Sequence, residues 1–134
     1  MKLYLPVSLA ARIVRETRAA LPGECCGLLL GERNGAGFAA CALHPAHNLS
    51  ATPDRFEIAA EDHFAAQRRA RSGHMKVIGC YHSHPDGAAR PSQADLAGAG
   101  EQDFVWLIAG QDAMAAFVYS GTSFMEAELV TSSS

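Results

Sequence analysis

Apolar residues recur along this chain with two different periods, and the switches between them outline its elements. Over 8–21, SLAARIVRETRAAL, a helical stripe carries Leu9, Ile13, Thr17 and Leu21. Ser8 is placed to cap its start and Pro22-Gly23 to stop it. CCGLLLG is a short apolar run bounded by glycine, the pattern of a buried strand. A turn at Asn34-Gly35 leads to a second strand near 38–44, so 26–44 reads as a hairpin.

Loop chemistry fills HNLSATPDRF, with Pro53-Asp54 as its turn. A second helix fits 60–72, with Phe64 facing inward among alanines and charges, and 76–81 is another buried strand. SQADLAGAG predicts a brief helix. FVWLIAG, MAAFVYS and FMEAELV then follow like an antiparallel meander, ahead of a tail, 131–134, expected to be disordered. Helices interleaved with strands imply one α/β domain over 1–130, a sandwich on a mixed, largely antiparallel sheet.

Composition narrows the function. At 134 residues the chain can bury a proper core without staples. No apolar run approaches the ~20 residues that span a bilayer. MKLYLPVSLAARIVRE lacks the apolar core and cleavage site of a signal peptide, so the expected compartment is the cytoplasm. Cys25, Cys26, Cys41 and Cys80 then read as reduced thiols, and no C-x-x-C pair suggests a zinc finger. A net charge of -3 argues against a nucleic-acid partner. The basic run Arg68, Arg69 and Arg71, with Lys76 nearby, reads first as a solvated helix face and second as a dock for an acidic partner. Asn48-Leu49-Ser50 fits a glycosylation sequon by chance.

The chemistry concentrates in YHSHPDGAARPSQAD, residues 81–95. On a strand His82 and His84 share a face, about 6.6 Å apart along the chain. Pro85-Asp86-Gly87 would reverse the chain. Ser92 and Asp95, on a first helical turn, would look back at the histidines. Two imidazoles and a carboxylate suit zinc, leaving the fourth position for water. Ser92-Gln93-Ala94-Asp95 is equally a helix capping box, which alone would explain both residues. Cys80 lies on the same strand face but roughly 10 Å from the histidines' midpoint, too far to ligate. An open site of this kind needs a base. Glu24, just ahead of the first buried strand, is a candidate, although by position it reads better as a solvated turn residue.

Glu24, Cys26-Gly27-Leu28-Leu29-Leu30-Gly31, His82-Ser83-His84-Pro85, Ser92 and Asp95 together resemble the signature of the JAMM (MPN+) zinc metalloprotease family. Asn48 and Arg55-Phe56-Glu57-Ile58 are similar to a loop and strand of its small bacterial members. The resemblance implies an α/β/α fold like that of cytidine deaminases, although the deaminase elements H-x-E and P-C-x-x-C are absent. It implies one Zn2+ held by His82, His84 and Asp95, with Glu24 as general base and Ser92 steadying the oxyanion. It further implies cleavage after the C-terminal diglycine of a ubiquitin-like sulfur-carrier protein; charge and the lack of a long apolar run add the expectation of no nucleic-acid and no membrane partner. A cell-wall or phage-tail peptidase and a non-catalytic MPN scaffold are the competing expectations.

Overall fold

The computed structural model describes residues 1–35, 37–52 and 55–132. The elements run β1 (Lys2–Pro6), α1 (Val7–Ala20), β2 (Cys26–Asn34), β3 (Gly37–Ala46), α2 (Ala60–Ser72), β4 (Lys76–Ser83), α3 (Gln93–Gly98), β5 (Phe104–Ala109), β6 (Met114–Tyr119) and β7 (Phe124–Ser132). The sheet is mixed, as expected, but it is not an open layer. Its order β1-β3-β2-β4-β5-β6-β7 closes on itself. Closure comes from β1, which pairs in parallel with both β3 and β7. The sandwich expectation is corrected to that extent: the curved sheet is closed.

Period-two alternation explains how one sheet feeds two cores. Leu29, Tyr81, Val105 and Leu107 point to the side of α1, where they join Leu3, Leu5 and Ile13. Leu28, Leu30, Cys80 and Trp106 point the other way and pack with Ala66 and Ala70 of α2. The central strands are therefore apolar on both faces, which is why CGLLLG and KVIGCY read as unbroken apolar runs. Gly27 stands opposite Tyr81 in the β2–β4 ladder, and the Tyr81 ring occupies the space a Cβ at position 27 would need.

Three local expectations are revised. The first helix begins at Val7, straight out of β1, with Pro6 at its N-cap and no side-chain cap; Ser8 already lies inside the helix. Phe64 is 58% exposed, because the small side chains of Ala66 and Ala70 let α2 lie close to the sheet, and Phe64 falls on the opposite side of the helix. Thr131 and Ser132, expected in the tail, belong to β7 and pair with Leu5 and Pro6. Pro53-Asp54 and the last two serines lie outside the described residues. Among those described, no helix is long and apolar enough to cross a membrane.

Candidate metal centre

The end of β4 carries His82 and leaves His84 just beyond it, beside the start of β2, where Cys26 pairs with His82. The His84 N–H donates to the carbonyl of Ala109 on β5 at 2.8 Å, so the chain is still pinned as it leaves the sheet. It returns through a loop clasped against the β5–β6 turn, where the Gln111 N–H donates to the Gly87 carbonyl at 2.9 Å. Gly110 permits this contact, since a Cβ there would come within 2.5 Å of the Ala89 nitrogen. α3 then starts at Ser92 and aims Asp95 back toward the histidines.

The capping box does form. Ser92 Oγ accepts from the Asp95 N–H at 3.0 Å, and Asp95 Oδ2 accepts from the Ser92 N–H at 2.8 Å. The same Oδ2 lies 3.1 Å from His82 Nε2 and 3.2 Å from His84 Nε2, and the two Nε2 atoms are 3.0 Å apart. Capping and convergence on the histidines are thus properties of one carboxylate, not rivals. Accepting the Asp95 N–H also leaves the Ser92 hydroxyl hydrogen available to donate.

His82 and Asp95 are buried and His84 is only 13% exposed. The His84 Nδ1 faces the Ala88 carbonyl at 3.2 Å; a carbonyl only accepts, so the neutral ring carries its proton on Nδ1 and turns the Nε2 lone pair to the centre. The His82 Nδ1 has no hydrogen-bond partner among the described residues. Its ring is held instead by Phe56, stacked at 4.3 Å, and by the edge of Trp106 at 5.8 Å. Burial lowers the His82 pKa against the pull of Asp95, and the hydrogen bond to the Asp95 carboxylate raises that of His84. Burial alone would raise the Asp95 pKa, yet the two imidazoles outweigh it and hold the carboxyl below the usual carboxylate range.

Two imidazole Nε2 atoms and a carboxylate oxygen gather in one buried triangle, where a proton on an Nε2 can bridge to Asp95 and a cation could take its place. A tetrahedral zinc with nitrogen ligands at ~2.0–2.1 Å sets its ligands about 3.3–3.4 Å apart. The observed edges of 3.0–3.2 Å are close to that spacing, so the residues present fit a zinc-type ion. Glu24 lies beside this triangle, with carboxylate and imidazole donor atoms within 4.8 Å of one another. It is 5% exposed, which overturns the solvated-turn reading.

Among the described residues, the donor atoms that gather with the histidines include the Glu24 carboxylate and no thiol. In the metal-free protein burial pushes Cys26 up to about 12 and also raises Cys80, so both pack as protonated thiols at neutral pH. The basic run has divided duties: Arg69 Nη1 donates to the Leu43 carbonyl at 2.6 Å and braces α2 to β3, whereas Arg71 lines a cavity of about 550 Å3. Phe56, Ile58, Lys76, Trp106 and Asp95 also line that cavity, with Ala70 of α2.

A family model described as prokaryotic homologs of the JAB domain matches residues 6–121. The chain belongs to this JAB family. Within it, the chain is similar to a desampylase of Haloferax volcanii, 32% identical over 107 residues that cover 78% of this chain and 76% of the relative. The tail tip assembly protein K of Escherichia phage N15 is 33% identical over 86 residues, 63% of this chain but 31% of that protein. Among solved structures, a protein from Desulfitobacterium hafniense superposes with a TM-score of 0.88 at 26% identity, over 100% of this chain and 94% of its own. A JAB1/MPN domain protein from Archaeoglobus fulgidus gives 0.56 at 22% identity, over 97% and 96%, and so shares the fold.

Sequence reasoning brought together Glu24, His82, His84, Ser92 and Asp95, and the structure places all of them at one end of the sheet. It missed what supports them. Phe56 and Asn48 entered only as points of resemblance, and Ser83 as the spacer between two histidines. Period-two alternation was the available signal for Ser83, since it must face away from both.

Proposed function

We propose that this JAB-family chain is a zinc-dependent isopeptidase or peptidase that hydrolyses the bond after the C-terminal diglycine of a ubiquitin-like protein, a sulfur carrier among the candidates. The observation that carries the reading is the buried triangle of His82, His84 and Asp95 with the Glu24 carboxylate at its side. Retention of that complete set argues against the scaffold alternative. The desampylase relative supports a ubiquitin-like substrate. When bound, the ion supplies Lewis-acid polarisation of a water and of the scissile carbonyl.

The residues then divide the remaining tasks. His82, His84 and Asp95 hold the ion, their ring orientations set by Phe56 and by the Ala88 carbonyl. Glu24 takes a proton from the attacking water and delivers it to the departing nitrogen. The Ser92 hydroxyl donates to the oxygen that gains charge, while its lone pair continues to cap α3. The cavity lined by Phe56, Ala70 and Asp95 would take an extended tail beside Asp95, and a side-chain-free glycine would approach the centre most closely.

The phage relative motivates the second reading, a peptidase acting on cell-wall peptides. Both are tested by measuring the zinc content of the purified protein and incubating it with two substrates: a ubiquitin-like protein extended beyond its diglycine, and a purified muropeptide. We expect one zinc per chain, mass loss at the glycine tail, and cleavage by Glu24→Gln slowed by at least about a hundredfold. Muropeptide cleavage with an intact protein tail would transfer the assignment to the second reading. A diglycine changed to a bulky residue and still cut at the native rate would remove the channel argument.

A further inference from the structure

The carboxylate of Glu24 acts from a turn, not from a strand, so something must fix its backbone. The last rung of the β2–β4 ladder is unusual. The Ser83 N–H donates to the Cys25 carbonyl at 3.2 Å in the ordinary way, but the Cys25 N–H donates at 2.9 Å to the Ser83 hydroxyl. The Glu24 carbonyl, the other end of that same peptide group, accepts from Asn48 Nδ2 at 3.1 Å. One peptide plane is therefore bound at its oxygen by one side chain and at its N–H by another, from separate parts of the fold.

We propose that Ser83 and Asn48 form a two-point clamp on the Glu24–Cys25 peptide that positions the Glu24 carboxylate over the metal centre. Ser83 is wholly buried on the sheet face opposite the histidines and meets neither ion nor substrate, so it is a positioning residue. Asn48 uses its full hydrogen-bonding capacity here. Its second donor bond goes to the Arg55 carbonyl, and its Oδ1 accepts from the Ser50 and Glu57 N–H groups. The clamp thus ties Glu24 to the segment that stacks Phe56 on His82. With one pin gone the peptide turns about the other, so the two residues act as a unit.

The inference rests on the hydrolase reading for its catalytic consequence, but the clamp itself has an independent readout. Ser83→Ala, Asn48→Ala and Asn48→Asp are made in the zinc-loaded protein; the aspartate keeps the two accepting bonds that order the loop, loses the donors and sets a carboxylate oxygen against the Glu24 and Arg55 carbonyls. Each single change should lower kcat by roughly tenfold to a hundredfold, as expected for a reacting group displaced by about 1 Å. KM should stay within twofold, zinc at one per chain, and Ser83→Thr should restore most of the rate. The Ser83→Ala/Asn48→Asp double variant should be little worse than either single one. Losses that multiply, or zinc that leaves with the activity, would overturn the clamp. Hydrogen exchange at the Cys25 amide should quicken in both Asn48 variants, although Asn48 does not touch that amide; unchanged exchange would also overturn it. If no substrate is cut but exchange responds as stated, the hydrolase reading falls and the clamp stands.

Discussion

Replacing Asp95 by asparagine and by alanine separates the two duties of its carboxylate. Asparagine keeps an oxygen that can accept the Ser92 N–H, now held at 2.8 Å, so the capping box survives; alanine removes it. Losing a cap of this kind costs about 1 kcal/mol. In a chain of this size that corresponds to roughly 3–5 °C in Tm. The ion-binding cost is larger and common to both variants. A structural zinc site is worth roughly 10–16 kcal/mol, or about 3 kcal/mol for each of four ligands, which is near 10²–10³-fold in Kd.

The measurement pairs thermal melting of metal-free protein at pH 8 with zinc titration against a chromophoric chelator. We expect metal-free Asp95→Asn to melt below the native chain, since the imidazoles favour the Asp95 carboxylate in the folded protein, and Asp95→Ala, which also loses the cap, to melt lower still. Both should bind zinc at least a hundredfold more weakly than the native protein. Native zinc affinity in Asp95→Asn would refute the ligand assignment and leave Asp95 as a cap alone. Equal melting of all three metal-free proteins would instead remove the cap's contribution.

Glu24→Gln should retain zinc and lose roughly 10²–10⁴-fold in turnover, measured by mass spectrometry of the substrate tail, because it removes the base but no ligand. Phe56→Ala should weaken zinc binding about tenfold to a hundredfold in the same chelator titration, with Phe56→Leu intermediate, since the His82 ring loses its stacking support. Gly110→Ala should lower both Tm and zinc affinity, because the new Cβ displaces the loop at Ala89 that positions His84. Zinc affinity should fall with decreasing pH: ion and protons compete for the imidazoles, and because the His84 pKa lies above its ordinary 6.5, the loss begins above that pH.

The parts of this molecule that were legible are those whose residue type is dictated by chemistry or by a repeating period. CGLLLG and KVIGCY could be read as buried strands because both faces of each are covered. His82, His84 and Asp95 could be read as a cluster because few side chains offer metal-ligating atoms and two of these share a strand face. β1 was not legible: Leu3 and Leu5 are its only inward residues, too short an alternation to stand out, yet its pairing with β3 and β7 closes the sheet. Phe64 was misplaced because hydrophobicity argued for burial, while the decisive quantity was the close approach that two alanines allow α2. Ser83 and Asn48 stayed silent for a different reason. Their contributions are hydrogen bonds to backbone atoms of distant residues, and a backbone atom carries no sequence identity to read.

Such support matters because of how little secondary structure the centre itself has. α3 spans six residues, too short to hold its shape by helix formation alone. Its first turn persists through the cap at Ser92, and the cap engages the same oxygen that faces the imidazoles. A cation held between that oxygen and the histidines therefore also fixes the cap's acceptor, so ion binding and the order of α3 are one equilibrium viewed from two sides. Removing zinc should loosen the Ser92–Asp95 turn before it disturbs β4, whose ladder to β2 and β5 does not depend on the ion. Exchange of the Asp95 amide, the donor to Ser92 Oγ, should quicken on chelation while that of Tyr81 does not. If both amides respond together, the centre is integral to the sheet and not mounted on it.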